Sequence, residues 1–303
     1  MKQLLLTGAS GFLGKIIYGK LKDSHRIVTL GRRKISENHI IFDLKTPYNL
    51  PHNEIFDIII HCAGKAHSIP KNDYEKGEFY EVNHNGTLNL LNFINTFEVI
   101  PKSFIFISTV AVYGLNSGKD ISENTPLNSI DPYGKSKILA EKLVTDWCNT
   151  NKVICTIIRL PLLVGDNPVG NLSKMILGIK RGYYVNIGEG KARKSMVMAE
   201  DVAAFIPIIS KIGGVYNLTD GYHPSFFELS NHIANKLGKK SPPNITKKVV
   251  LILAKIGDIF GNFSPINTIK FHKITSELTF NDSKAREKAN WNPSMVLKSF
   301  NPS

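Results

Sequence analysis

A glycine-rich turn only seven residues into the chain is the strongest constraint on its fold. Thr7-Gly8-Ala9-Ser10-Gly11-Phe12-Leu13-Gly14 follows the apolar run Lys2–Thr7 and opens a stretch of helical spacing, Phe12–Leu21. A strand that passes through a tight turn directly into a helix leaves free backbone N–H groups at the helix start. Those groups and the helix dipole favour an anion, and glycines let a phosphate approach the backbone. Gly8, Ser10, Gly11, Phe12, Leu13 and Gly14 are therefore candidate binders of a pyrophosphate, with Gly14 placed where the helix must pack tightly on the strand. The spacing is GxxGxxG rather than GxGxxG, and a tight β–α turn calls for glycine whether or not it binds anything.

The rest of the N-terminal half supports this reading by its alternation. Arg26–Leu30, Ile40–Phe42, Phe56–His61, Phe104–Ser108 and Val153–Leu160 are β-rich runs, several of them apolar throughout. Such runs suit a parallel sheet covered on both faces. Between them, Tyr74–Phe97 and Pro132–Cys148 have helical spacing. The fold class implied is α/β, a doubly wound parallel sheet of Rossmann type with a smaller C-terminal substrate-binding lobe. Residues 1–165 form the expected dinucleotide-binding domain, with 201–220 returning to it. Residues 166–200 and 221–303 form the expected lobe.

With 303 residues, 42% of them hydrophobic and 21% charged, the chain can bury a sizeable core and is not disordered. The initial apolar run is too short for a secretory leader, and no stretch reaches the ~18 unbroken apolar residues of a spanning helix. Cys62, Cys148 and Cys155 lack CxxC spacing and are odd in number. They are expected as thiols in the cytoplasm, with no metal site. The formal net charge is +13. The lysines are dispersed and not interleaved with aromatics, so no nucleic-acid partner is expected. An anionic membrane surface, a diphosphate-bearing substrate or a general solubility bias fits the charge instead.

Cofactor preference turns on the end of the second strand, where an acid suits the ribose of NAD and an arginine suits the 2′-phosphate of NADP. Gly31-Arg32-Arg33 stands there, with no acid before Glu37. Arg32 and Arg33 lean the expectation to NADP, although solvated loop arginines would look the same. Asp43 and Leu44 are placed to meet the adenine edge. Tyr133 and Lys137 lie four residues apart behind Pro132, so they share one helix face. A neighbouring ammonium and the positively charged nicotinamide ring favour a phenolate and are expected to lower the Tyr133 pKa. Thr109, ending its strand, is the candidate hydroxyl for the reacting oxygen, with Ser108 as runner-up.

Taken together, Thr7–Gly14, Ser108-Thr109-Val110-Ala111-Val112-Tyr113-Gly114 and Tyr133-Gly134-Lys135-Ser136-Lys137 resemble the signature blocks of the extended short-chain dehydrogenases, the NAD-dependent epimerase/dehydratase family. His61-Cys62-Ala63-Gly64 resembles the segment under the cofactor in that family. Val82-Asn83, Gly86-Thr87, Arg159-Leu160-Pro161 and Gly165 match later blocks. Trp291-Asn292-Pro293 resembles its C-terminal motif, with Asn290 where glycine is usual. The resemblance implies an enzyme in which Tyr133 is the acid–base, Lys137 orients the cofactor ribose and Thr109 binds the reacting oxygen. It also implies cofactor contacts from Cys62, Ala63, Gly64, Asn83, Ser108 and Pro161. Substrate contacts are implied for Asn171, Arg193 and Lys194, the last standing where an arginine usually holds a diphosphate.

The blocks Ala111–Asn116 and Lys194–Met196 are similar to surface-polysaccharide members of the family. These are 4-epimerases of polyprenyl-diphosphate-linked N-acetylhexosamines and NADPH-dependent reductases of UDP-4-keto-6-deoxy-N-acetylhexosamines. The implied function is oxidoreduction at C4 of a UDP- or polyprenyl-diphosphate-linked sugar, 4-epimerisation first and reduction second. Val110 after Thr109, in place of an acid, argues against a 4,6-dehydratase. A non-catalytic dinucleotide sensor is the reading from another class, but such relatives lose the Tyr or Lys that this chain keeps. Lys247-Lys248 with Val249–Phe260 forms an amphipathic segment, an ordinary lobe helix or one that rests peripherally on the inner face of the membrane. A homodimer is compatible with the sequence.

Overall fold

The structure, a computed structural model, describes residues 1–47, 53–66, 68, 70–260, 264 and 266–302. Elements follow in the order β1 (Gln3–Thr7), α1 (Phe12–Leu21), β2 (Arg26–Gly31), β3 (His39–Ile41), β4 (Ile58–His61), α2 (Asp73–Phe79), a π-helical turn (Tyr80–Asn85) and α3 (Gly86–Ile94). Next come β5 (Ser103–Thr109), a 3-10 turn (Val110–Tyr113), β6 (Gly118–Ile121), α4 (Pro132–Asn151), β7 (Ile154–Leu160) and β8 (Leu162–Val164). The remainder is α5 (Asn171–Lys180), β9 (Asn186–Ile187), β10 (Met196–Met198), α6 (Ala199–Ile209), β11 (Gly214–Asn217), α7 (Phe226–Lys236), β12 (Asn244–Ile245), α8 (Lys247–Ile259), α9 (Thr268–Thr275), β13 (Leu278–Phe280), α10 (Ser283–Ala289) and α11 (Val296–Ser299).

Seven strands form one parallel sheet in the order β11-β7-β5-β4-β1-β2-β3. The strand order reverses direction between β1 and β4, and the crevice beyond their carboxyl ends is where such sheets bind ligands. The unbroken apolar runs are explained by strand alternation. Leu4, Leu6, Ile58, Ile60, Ile105 and Ile158 face one core, built with α1, α6 and α10. Leu5, Ile59, Phe104, Phe106 and Ile157 face the other, built with α3 and α4. Both faces are covered, so nearly every strand residue is apolar.

A separate core joins α5, α7 and α11 through Leu172, Ile176, Leu229, Ile233 and Phe300, next to the two-stranded pair β8–β10. The helical spacing over Tyr74–Phe97 is realised as α2 and α3 joined by the π turn, whose extra residue per turn carries no periodicity signal. The C-terminal segment is not confined to the lobe: Ala285, Ala289 and Trp291 pack into the sheet core. Trp291 sits 4.8 Å from the Phe205 ring and donates its indole N–H to the Thr219 carbonyl at 2.9 Å. Trp291→Ala removes that anchor, with an expected loss of about 3–5 kcal/mol in urea denaturation.

Candidate active site

The glycine turn takes its shape from close contact. Gly8 has φ +72°, and a Cβ on it would lie 2.5 Å from the Ala63 nitrogen; a Cβ on Gly14 would fall on the Gly8 carbonyl. The turn closes with the Gly11 N–H donating to Gly8 at 2.9 Å. Gly11 caps α1 with no side-chain hydrogen bond, and no acid lies in the first turn. The helix start is thus bare of side-chain acceptors and of negative charge, the condition under which it receives a pyrophosphate. The donor set and the glycine cradle fit a dinucleotide. Phe12 is half-buried and Leu13 buried, while Ser10 is exposed at the tip.

Behind this turn runs a chain of hydroxyls and one imidazole. The Thr7 hydroxyl accepts from the Ala63 N–H at 3.1 Å and pairs with His61 Nδ1 at 2.7 Å. His61 Nε2 lies 3.0 Å from the Thr87 hydroxyl, which spends its own proton on the Asn83 carbonyl at 2.6 Å. Thr87 therefore accepts from His61, so Nε2 carries the proton and Nδ1 accepts from Thr7. Burial, then the charge of Lys137, depresses the His61 pKa to about 3, so the ring is neutral. Asn83, set in the π turn, accepts from Lys65 N–H at 2.7 Å and donates to the Lys65 carbonyl and Ser136 hydroxyl, both at 3.0 Å. Ser136 in turn donates to the Tyr133 carbonyl at 2.7 Å. The network ties the glycine turn and the Cys62-Ala63-Gly64 segment to α4.

Asp131 starts α4 by accepting from the N–H groups of Tyr133 (3.1 Å) and Gly134 (3.2 Å), and Pro132 occupies the first turn. Tyr133, Lys137 and Glu141 then repeat every four residues on one helix face. Tyr133 is half-buried beside Phe79, their ring centroids 6.0 Å apart. The Lys137 ammonium, almost wholly buried, donates to the Ile107 carbonyl at 2.6 Å and lies 3.8 Å from the centre of the Phe106 ring. Burial raises the Tyr133 pKa above 10, while a hydrogen bond with Thr109 pulls it down. In the protein alone desolvation dominates over the expected depression, and the ammonium is directed to a strand carbonyl. Burial lowers Lys137 itself to about 8, and it raises the neighbouring Cys62 thiol to about 12.

Thr109 and Ser108 diverge. The Ser108 hydroxyl donates to buried Glu141, which is held by Arg159 through bonds of 3.1 and 2.7 Å. Ser108 is therefore committed to that pair and is not a candidate for the reacting oxygen. Arg159 continues to the Tyr113 hydroxyl at 3.1 Å, and Tyr113 donates to Asn217 at 2.8 Å. Glu141, at the next step of the Tyr133–Lys137 stripe, was not singled out in the sequence; its four-residue spacing was the available signal.

The remaining candidates are spread around the cleft. Arg32 and Arg33 are exposed just after β2, and Asp43 holds the Lys45 N–H at 3.0 Å. Leu44 gives its carbonyl to Asn89 on α3 at 2.7 Å. Pro161 separates β7 from β8, and Asn171 is the exposed first residue of α5. Arg193 donates to the His223 carbonyl at 3.0 Å and faces Glu228 at 3.7 Å. Lys194 donates to the Lys273 carbonyl at 3.1 Å. Burial and the charge of Lys273 depress its pKa to about 8. Both contact the lobe, not the Tyr133 cluster.

A parallel sheet of this order, with a bare helix start at its crossover point and a tyrosine–lysine helix alongside, defines a Rossmann-type dinucleotide oxidoreductase. Residues 4–218 match the family model described as "NAD dependent epimerase/dehydratase family". The chain belongs to that family of NAD(P)-dependent sugar epimerases, dehydratases and reductases. It is 31% identical over 79% of its length and 73% of the relative to the N-acetyl-α-D-glucosaminyl-diphospho-ditrans,octacis-undecaprenol 4-epimerase of Escherichia coli O157:H7. It is 29% identical to the decarboxylating sterol-4-α-carboxylate 3-dehydrogenase of Dictyostelium discoideum, over 95% of each chain. The fold is similar to that of RMD from Pseudomonas aeruginosa complexed with NADPH, with TM-score 0.75 and 21% identity over 99% and 96% of the two chains.

Two outcomes follow from the buried charges. Arg159→Met leaves the Glu141 carboxylate buried and unpaired, with an expected cost of about 3–5 kcal/mol in equilibrium unfolding. Lys137 binds its proton less well folded than unfolded, so the unfolded chain holds more protons between pH 8 and 10.5 and stability rises across that window. Lys137→Met removes this rise, on the order of 3 kcal/mol, from urea midpoints measured at pH 7.5 to 10.

Proposed function

We propose that the chain interconverts epimers at C4 of an N-acetylhexosamine carried on a diphosphate, the carrier being a polyprenol. The observation that carries this reading is the convergence of Thr109, Tyr133 and Lys137 at the end of β5, linked through Asn83 and His61 to the glycine turn. A nicotinamide dinucleotide, when bound, supplies the hydride acceptor and donor together with a positive ring charge. Gly8, Gly11, Phe12, Leu13 and Gly14 would hold its pyrophosphate, with Cys62, Ala63, Gly64 and Pro161 lining the cleft beside it.

Tyr133 would take the proton of the C4 hydroxyl as the C4 hydride leaves. After the ketosugar has turned over, it would return that proton to the C4 oxygen as the hydride comes back to the opposite face of C4. Thr109 holds that oxygen by hydrogen bond. Lys137, fixed by Ile107 and Phe106, supplies positive charge one helical turn from the phenol and so favours its anion once the proton leaves. Lys194 supports the diphosphate: its half-buried ammonium faces the like charge of Lys273, an arrangement that an anion relieves. The same basic loop suits the multiple charges of a diphosphate better than the single carboxylate of the sterol acid named for the Dictyostelium relative. The undecaprenol-linked substrate named for the E. coli relative agrees with this choice of carrier and with a peripheral position at the membrane.

A second reading, NADPH-dependent reduction of a nucleotide-linked 4-ketosugar, is favoured by Arg32 and Arg33 exposed at the end of β2. Mass identification of dinucleotide released from purified protein separates the two. Retained NAD supports epimerisation, whereas an empty site that consumes NADPH with a 4-ketosugar supports reduction. Tyr133→Phe is expected to lower kcat by on the order of 10²–10⁴-fold with an unchanged circular dichroism spectrum. Substantial residual turnover contradicts the mechanism.

A further inference from the structure

Helix α8 is apolar on two faces, and among the described residues only one of them is packed. Val250, Ala254 and Gly257 are buried, Val250 and Ala254 in a small core with Phe271 of α9. A second stripe, Val249, Ile252, Leu253, Ile256, Ile259 and Phe260, recurs at helical spacing and is open to solvent, with Ile252 61%, Ile256 51% and Ile259 81% exposed. Ile269, on the neighbouring α9, is 73% exposed. A contiguous exposed apolar stripe of this kind marks an interaction surface. Lys248 and Lys255, one heptad apart, flank one edge of it.

The charge pattern on this helix is not that of a helix tuned for water. Lys247 and Lys248 occupy the first turn, where the dipole disfavours cations; no acid stands there, and Thr246 makes no side-chain cap. Asp258, the only acid on α8, is engaged with Thr268, accepting its backbone N–H at 2.9 Å. A second copy of this chain docking face to face would bring lysines against lysines on a protein of formal charge +13. An anionic lipid surface meets both features, since it takes up the apolar stripe and neutralises the flanking lysines.

We propose that the exposed α8 face, with Ile269 of α9, docks the protein on an anionic bilayer. This deepens, and rests on, the lipid-linked reading of the substrate given above. The far end of α9 reaches the basic loop, because the Lys273 carbonyl accepts from Lys194. A diphosphate held at Lys194 thus lies one short helix from the docked surface, the relation a lipid-anchored sugar requires.

The test is flotation of the full chain with phosphatidylcholine vesicles and with mixed phosphatidylcholine–phosphatidylglycerol vesicles, without substrate. Wild-type protein is expected to float with the mixed vesicles only, and less so at high salt. The paired exposed-site change Ile252→Glu with Ile256→Glu is expected to abolish flotation, and Lys248→Glu with Lys255→Glu to weaken it at least tenfold. No flotation of the wild type, or equal flotation of the variants, overturns the proposal. So does a dimer in sedimentation velocity that the Ile252→Glu, Ile256→Glu protein loses, which assigns the face to a second copy. Turnover of a water-soluble short-chain prenyl-diphosphate-linked N-acetylhexosamine, measured without vesicles, reads the active site independently. Wild-type protein that turns over but does not float sinks the docking face alone, and wild-type protein that floats but does not turn over sinks the catalytic reading alone.

Discussion

The site depends on two backbones meeting almost without side chains at the top of β1. Gly8 lies against the chain leaving β4, and Gly14 lets α1 descend onto the Gly8 carbonyl. A larger residue at either position would push α1 away from the sheet and turn its free N–H groups out of the crevice. Because β1 and β4 are parallel neighbours on either side of the reversal in strand order, that crevice is shared by the glycine turn and by the ends of β4 and β5. Tyr133 and Lys137 need only reach the same opening from the other side of the sheet, which α4 lets them do.

What holds the two halves together is polar and satisfied. From Thr7 through His61, Thr87 and Asn83 to Ser136 and the backbone of Tyr133, each donor has an acceptor and the imidazole has a single usable tautomer. Buried networks of this kind rigidify when complete and are costly when one member is missing. Apolar packing alone could not fix the direction of Asn83, whose side chain is aimed by the π turn toward both the Gly64–Lys65 segment and α4. Local helical irregularity and long-range alignment are thus one feature.

The sheet was legible because apolar runs such as Ile58-Ile59-Ile60 have no other use in a globular chain, and the glycine turn because its position fixed its context. The Tyr133–Lys137 pair was legible from four-residue spacing behind Pro132. Less was visible where a choice depends on which way a strand residue points. Ser108 and Thr109 are chemically equivalent in sequence, and only the placement of Glu141 and Arg159 behind the sheet assigns one to structure and leaves the other free for the phenol. The sign of the Tyr133 shift was invisible for a related reason. Spacing announces a nearby ammonium but not the burial that outweighs it.

Burial acts on the two catalytic groups in opposite directions, raising the phenol and lowering the ammonium, since each is penalised for its own charge. Glu141 offsets only part of the burial of Lys137, and its carboxylate is forked onto Arg159 and also accepts from Ser108. The trio of Lys137, Glu141 and Arg159 thus leaves one net positive charge inside the protein. A phenolate forming one turn away is the anion that this charge lacks. Desolvation is costly for either ion alone and less so for the pair, so in the proposed mechanism the charge on Lys137 favours release of the Tyr133 proton. In the proposed mechanism the Tyr–Lys spacing therefore matters less as a way to acidify an isolated phenol than as a way to make proton release and charge neutralisation the same event.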